Sequence, residues 1–254
     1  MPATNQFKAA GLSIGYTHKG AANPLTEDLN LSLQSGELVC LLGPNGAGKS
    51  TLIRTLAGIQ KPLTGEVLLD GANIQSITPH ERAKRISVVL NDRTQAGNID
   101  VSTYVSLGRQ PYSGWLGRLT SNDHACIQNS IRSIGAEKLI YRTISELSDG
   151  ERQKVSIARA LAQEASIMLL DEPTAFLDFP RKVELMQLLK RLAHNKPLSL
   201  LLTTHDLELA KRYADRIWIL SESGALTETS PEGLGDSATL AESFGCAPEL
   251  LESF

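Results

Sequence analysis

Short apolar runs with polar ends recur at Glu37–Leu42, Arg85–Leu90, Ser166–Leu170, Leu198–Thr203 and Arg216–Leu220. They hardly alternate, which is the pattern of strands covered on both faces and predicts a parallel sheet. Apolar residues recur at helical spacing in Lys49–Ala57, Gly150–Ala162, Arg181–Ala193 and Asp206–Ala214. Strand and helix therefore alternate, and the expected class is α/β. Phe7–Tyr16, Asp28–Gln34 and Gly65–Asp70 are alternating or β-rich between Gly and Pro punctuation, which predicts an antiparallel β layer attached to that sheet. From residue 92 to 163 strand signals fade, while Val101–Gly108 and Asn122–Gly135 read as helices around the turn-rich run Gln110–Asp123. That stretch is expected to be an inserted helical subdomain. The core would then comprise 1–91 with 164–228. Beyond Leu220 only a weak hairpin and a short helix pattern follow, ending in a tail over 229–254.

Composition narrows the ligand class. With 254 residues, 41% of them hydrophobic, the chain can bury a sizeable core. Its 25 Lys and Arg against 28 Asp and Glu leave a net charge of −3. No global basic field favours nucleic acid, so an anionic ligand needs a local site. Cys40, Cys126 and Cys246 are scattered and odd in number, which fits a reducing compartment rather than a disulfide framework or a metal cluster. The longest apolar runs, around Leu38–Leu42 and Leu198–Leu202, fall short of the roughly 18 residues of a membrane span. The first eleven residues carry neither a basic leader nor an apolar core, and the expected location is cytoplasmic.

The local site is legible. Gly43-Pro44-Asn45-Gly46-Ala47-Gly48-Lys49-Ser50-Thr51 follows an apolar run and opens a helix pattern, matching G-x-x-x-x-G-K-[ST] in the setting that motif requires. Glycines 43, 46 and 48 let the chain curl so that successive N–H groups point inward, and a helix N-terminus adds partial positive charge. Lys49 is expected to reach the β and γ phosphates of a nucleotide, Ser50 to offer its hydroxyl to Mg²⁺, and Thr51 to touch the α-phosphate. The run Ser166–Leu170 ends in Asp171 and Glu172, whose side chains strand alternation would aim in opposite directions at the sheet's carboxyl edge. Asp171 is placed to hold Mg²⁺ and Glu172 to polarise the attacking water. His205 ends another apolar run in the same relation to the sheet and could bond the γ-phosphate.

Just ahead of that acidic pair, Leu147-Ser148-Asp149-Gly150-Glu151-Arg152-Gln153 resembles the LSGGQ signature of ATP-binding cassette (ABC) ATPases, with Asp for the first Gly and Glu for Gln. With the phosphate loop before it and Asp171, Glu172, Asp178 and His205 after it, residues 7 to 228 look like one ABC nucleotide-binding domain. The resemblance implies a P-loop NTPase with a RecA-like parallel core. It also implies an ATP- and Mg²⁺-dependent ATPase working as a head-to-tail homodimer, in which Ser148 and Gly150 meet the γ-phosphate held by the partner's loop. An exposed helix N-terminus with a hydroxyl and an unhindered glycine suits that task physically. By the same resemblance Tyr16 stacks on adenine and Asp178 communicates across the dimer. Family members usually have glutamine at the end of the Arg85–Leu90 strand, to meet Mg²⁺ and water. Here Asn91 keeps the amide on a side chain one methylene shorter, implying weaker direct metal contact or a water in between, with slower turnover.

The segment Val105–Tyr112, with Trp115 and Gly117-Arg118-Leu119, is similar to the helical-subdomain entrance of importers of iron chelates, haem and cobalamin. The resemblance implies a subunit on the cytoplasmic face of the plasma membrane, docked to a separate permease that receives cargo from an extracytoplasmic binding protein. An aromatic and basic loop suits a short helix of such a permease. Two other classes stay open: a soluble ABC ATPase serving as an assembly factor, and a P-loop kinase, which would have no signature helix and no need to dimerise.

Overall fold

The computed structural model describes residues 7–18, 20–91, 98–114 and 117–235. Asp92, Trp115, Cys246 and most of the expected tail lie outside the described residues. The elements in chain order are β1 (Phe7–His18), β2 (Ala21–Leu33), β3 (Leu38–Leu42), α1 (Lys49–Leu56), β4 (Thr64–Leu69), β5 (Ala72–Asn73), α2 (Pro79–Ala83) and β6 (Ile86–Val89). Then come α3 (Val101–Ser106), α4 (Ser121–Ser133), α5 (Asp149–Ala162), β7 (Ile167–Leu170), α6 (Phe179–Asn195), β8 (Ser199–Thr203), α7 (Leu207–Tyr213), β9 (Arg216–Leu220) and β10 (Leu226–Thr229). Short 3₁₀ turns supplement these.

The five apolar runs become β9, β3, β8, β7 and β6, neighbours in that order and all parallel. Every residue of β3 and β8 is buried, which is why their sequences are apolar without alternation. The hairpin after Leu220 is present: β10 pairs antiparallel with β9 at the sheet edge. Period-2 alternation still operates inside the sheet. Leu38, Cys40 and Leu42 point into one core with α3–α6, whereas Val39 and Leu41 point into a second core with α1 and the β layer.

That layer is the antiparallel sheet β2-β1-β4-β5. β2 begins at Ala21, well before the expected Asp28, because residues 21–27 carry a proline and little apolar signal and are held by pairing with β1 and by the bond of the Thr26 hydroxyl to the Gly224 carbonyl. Gly15 permits the close approach: a Cβ there would lie 2.2 Å from the Asn23 carbonyl oxygen. β5 and α2 are too short for their periodicity to be read from the sequence.

Helices α3, α4 and α5 pack on one another between β6 and β7, and their apolar faces join the first core directly. Arg109, in the turn after α3, is 2% exposed. Its guanidinium donates to Asp123 at 2.8 Å, to Glu164 at 2.7 Å and to the Ala162 carbonyl at 2.7 Å, and lies 4.0 Å from the Tyr112 ring centre. The expected docking loop therefore does not offer this cation to a partner; the charge is spent inside, tying α3 to α4 and the end of α5. Among the described residues no helix is long and apolar enough to cross a membrane.

Removing one partner of such a buried pair leaves an uncompensated charge, so Arg109→Met should destabilise the fold by about 3–5 kcal/mol in chemical denaturation. The Thr120 hydroxyl and amide, and then Arg109, hold the Asp123 carboxyl down at about 2. A depressed carboxylate stabilises above its unfolded value of 3.8, so this contribution should be intact above that pH and lost as acid titration proceeds from 3.8 to about 2.

Candidate active site

The loop after β3 is built around glycines with left-handed backbone, at φ 88° for Gly46 and φ 100° for Gly48. Gly43 abuts β9, where a Cβ would fall 2.3 Å from the Leu220 carbonyl oxygen. Helix α1 starts at Gly48 without a side-chain cap and with no acid in its first turn. By contrast Thr120, Ser148, Asp178 and Asp206 cap α4, α5, α6 and α7. The positive end of α1 is thus left for an external anion. Lys49 is 5% exposed, and its ammonium donates to the Gly43 and Pro44 carbonyls, both at 2.8 Å. Burial pulls its pKa down, while the charges of Glu172 and Asp171 pull it back up. A phosphate would replace neutral carbonyl partners with a charged one.

Three further strand ends converge here. Asp171, 4% exposed after β7, accepts from the Ser50 hydroxyl and from the Thr203 hydroxyl, both at 2.9 Å on Oδ1. The Glu172 amide donates to Thr203 Oγ1 at 2.7 Å. Thr203 ends β8, the strand between β3 and β7, so one hydroxyl locks the acidic pair to the strand beside the phosphate loop. The sequence reading missed it. Its signal was a polar residue closing an apolar run, but the strand order that makes it central is not encoded locally.

Glu172 does not obey strand alternation, since β7 stops at Leu170 and Glu172 has φ 45°. The left-handed turn, rather than the pleat, separates the two carboxylates. Half-buried Glu172 lines a cleft of about 400 Å³ with Tyr16, Asn45, Lys49, Thr51 and Asn91. Gly46, Gly48, Ser50 and Leu25 complete it. Asn91 follows β6, whose last residue Val89 pairs with Leu170 of β7, and it lines the cleft with Glu172. Tyr16 is 51% exposed and its hydroxyl bonds Thr51 Oγ1 at 2.9 Å. An aromatic face is thereby fixed at the mouth of the cleft, and Thr51 is already partnered.

Not every expected residue joins. His205 is exposed after β8 and outside the cleft lining. Asp178 caps α6 through the Arg181 amide at 3.1 Å. Ser148 and Gly150 line a second cleft of about 320 Å³ with Lys154, Leu177, Arg181 and Glu184. Among the described residues no group of three His, Cys, Asp or Glu could hold a metal by itself. The oxygens of Ser50 and Asp171 suit a hard cation that takes its remaining ligands from water and phosphate, as Mg²⁺ does.

A glycine-rich strand-to-helix turn with a buried lysine, an acidic strand end and an aromatic platform defines a P-loop nucleotide-binding ATPase. Within that class, residues 26–175 match the ABC transporter family, and the chain belongs to it. It is 44% identical to an ABC transporter ATP-binding protein of Methanocaldococcus jannaschii, over 90% of this chain and 77% of that one. It is 35% identical to the ferric enterobactin transport ATP-binding protein of Escherichia coli, over 94% and 87%. A bacterial ABC transporter cassette solved in dimeric form superposes with TM-score 0.75 at 27% identity, covering 89% of this chain and 98% of that one.

If Tyr16 is the base platform, Tyr16→Ala should weaken ATP binding about 5- to 150-fold in titration calorimetry, the worth of one base–aromatic stack. Tyr16→Phe keeps the ring and should bind within about twofold of the parent. Thr203→Val should leave ATP affinity intact and lower kcat, since it removes one of the two hydroxyl bonds on Asp171 and the acceptor of the Glu172 amide without touching Lys49.

Proposed function

We propose that this chain is the ATP-hydrolysing subunit of an importer for an iron–siderophore or a related metal chelate, acting as a head-to-tail homodimer on a separate membrane permease. The observation that carries the reading is the separation of the two half-sites within one chain. Lys49 faces one cleft and Ser148 another, so a triphosphate held by the first needs a second copy to supply the serine. The family membership and the dimeric relative support this, and the ferric enterobactin relative supports the cargo class.

In this reading the α1 amides and Lys49 bind the β and γ phosphates, while Tyr16 stacks on adenine. Ser50 and Asp171 hold Mg²⁺, which when bound offsets charge on the phosphates. Glu172 accepts the proton of the attacking water, with Asn91 beside it to orient that water through its amide. Asp178, exposed at the start of α6, and His205, exposed at the end of β8, act at the dimer face, His205 reaching the γ-phosphate only after closure. The subunit sits peripherally at the cytoplasmic face of the membrane, and the extracytoplasmic binding protein acts on it only through the permease.

The permease seat is the groove of about 410 Å³ between α2 and the turn after α3, lined by His80, Ala83, Leu107, Pro111 and Arg159 among others. Leu107 is 40% exposed there, and the Gln163 amide ties the groove's floor to the Ala83 and Ile86 carbonyls. Leu107, Gly108, Gln110 and Pro111 of the expected docking segment line this groove, while Arg109 is turned into the interior.

Glu172→Gln should bind ATP normally, lose turnover by 10²-fold or more and accumulate as an ATP-dependent dimer in sizing experiments; full activity would remove Glu172 from the mechanism. Leu107→Asp should keep the free subunit's ATPase activity yet abolish co-purification with an integral membrane partner. Retained co-purification would place docking elsewhere, and failure of the parent chain to bring down any membrane protein would favour the assembly-factor class.

A further inference from the structure

We propose that Glu151 is a positioning residue that opposes closure of the dimer by holding the one hydroxyl hydrogen of Ser148; this rests on the dimer reading above. Ser148 Oγ donates to Glu151 Oε2 at 2.8 Å, and the Ser148 amide donates to the same oxygen at 2.9 Å. The Glu151 amide returns a bond to Ser148 Oγ at 3.4 Å. A serine hydroxyl has a single hydrogen, and here it is committed to a carboxylate, an acceptor that makes the stronger, charge-assisted bond. A phosphate oxygen is also only an acceptor. Before Ser148 can donate to a γ-phosphate brought by a second copy, its hydroxyl must leave Glu151.

Charge adds to the opposition. The two Ser148 bonds, with Arg142 and Arg181 beyond them, hold the Glu151 carboxyl below its ordinary range, so it is ionised at neutral pH. Asp149 puts a second carboxylate in the same first turn. Glu151 lines the Ser148 cleft, whereas Asp149 lines a neighbouring cleft with Arg152 and Gln153; both put negative charge at a helix end that would otherwise attract an anion. Three arginines offset this charge in part, so the held hydroxyl carries the larger share of the opposition. Arg142 lies 3.5 Å from Glu151 and Arg152 lies 4.0 Å from Asp149. Arg181 lies alongside Gly150, where a Cβ would sit 3.6 Å from its Nη1. The arrangement is a helix cap in the separate subunit and a competitor for the proton in the closed dimer, so its two roles have opposite signs.

The test is dimer affinity measured by sedimentation with ATP and Mg²⁺ in a Glu172→Gln background, where turnover does not intervene. Glu151→Gln should tighten the dimer by about five- to tenfold for each of its two clamped sites, so about 25- to 100-fold in all, from the gap between a charged and a neutral hydrogen-bond acceptor. Its melting temperature should be no higher than the parent's, and the affinity ratio should shrink as salt screens the charge. In a Ser148→Ala background the gain from Glu151→Gln should shrink to the salt-sensitive part, because no hydroxyl hydrogen remains to be released. A Glu151→Gln dimer equal to or weaker than the parent's would overturn the proposal and leave only the helix cap. An undiminished gain with Ser148→Ala would equally overturn it, reducing the effect to bulk charge. If no variant, parent included, forms an ATP-dependent dimer, the dimer reading fails first and the proposal with it.

Discussion

The structure depends on one unsatisfied helix end. Helix α1 begins at a glycine with φ 100° and has no side-chain cap and no acid in its first turn; Asp171 meets it only through the Ser50 hydroxyl, so among the described residues no side chain caps its amides. The glycines of the preceding loop clear the approach, and Lys49 is buried behind it against two carbonyls that a phosphate can outcompete. Everything catalytic is arranged around where that phosphate must lie.

The arrangement follows from sheet order. β3, β8, β7 and β6 are parallel neighbours, so their carboxyl ends open on one edge, where open α/β sheets place their ligands. β3 leads into the phosphate loop, β7 delivers the two carboxylates, β6 delivers Asn91, and β8 supplies Thr203 as the crosspiece. The burial of β3 and β8 gives that edge rigidity; the hydroxyl–carboxylate bonds of Ser50, Thr203 and Asp171 set its fine geometry. The signature helix stands apart with an intact cap, its Ser148 lining a cleft that does not include Lys49.

The parallel strands and the longer helices were legible because their period is written into continuous apolar runs, and Gly43–Thr51 was legible because it has a fixed spacing. The early start of β2 was not, since residues 21–27 are ordered by pairing with β1 instead of by their own pattern. Glu172 was assigned correctly to the strand end but for a reason that fails: a left-handed residue, which no period reveals, turns it into the cleft. Arg109 looked like a surface cation because arginine usually is one; its acids at 123 and 164 meet it only after α4 and α5 pack. Thr203 needed the strand order, and His205 and Asp178 lie outside the cleft lined by Lys49 and Glu172.

The central claim is that a triphosphate is clamped between two subunits. The most direct measurement is steady-state ATP hydrolysis as purified subunit is diluted through its dimer dissociation range at saturating ATP. The account predicts that specific activity falls with dilution in proportion to the dimer present. Constant specific activity down to concentrations at which sedimentation finds single subunits alone would contradict it.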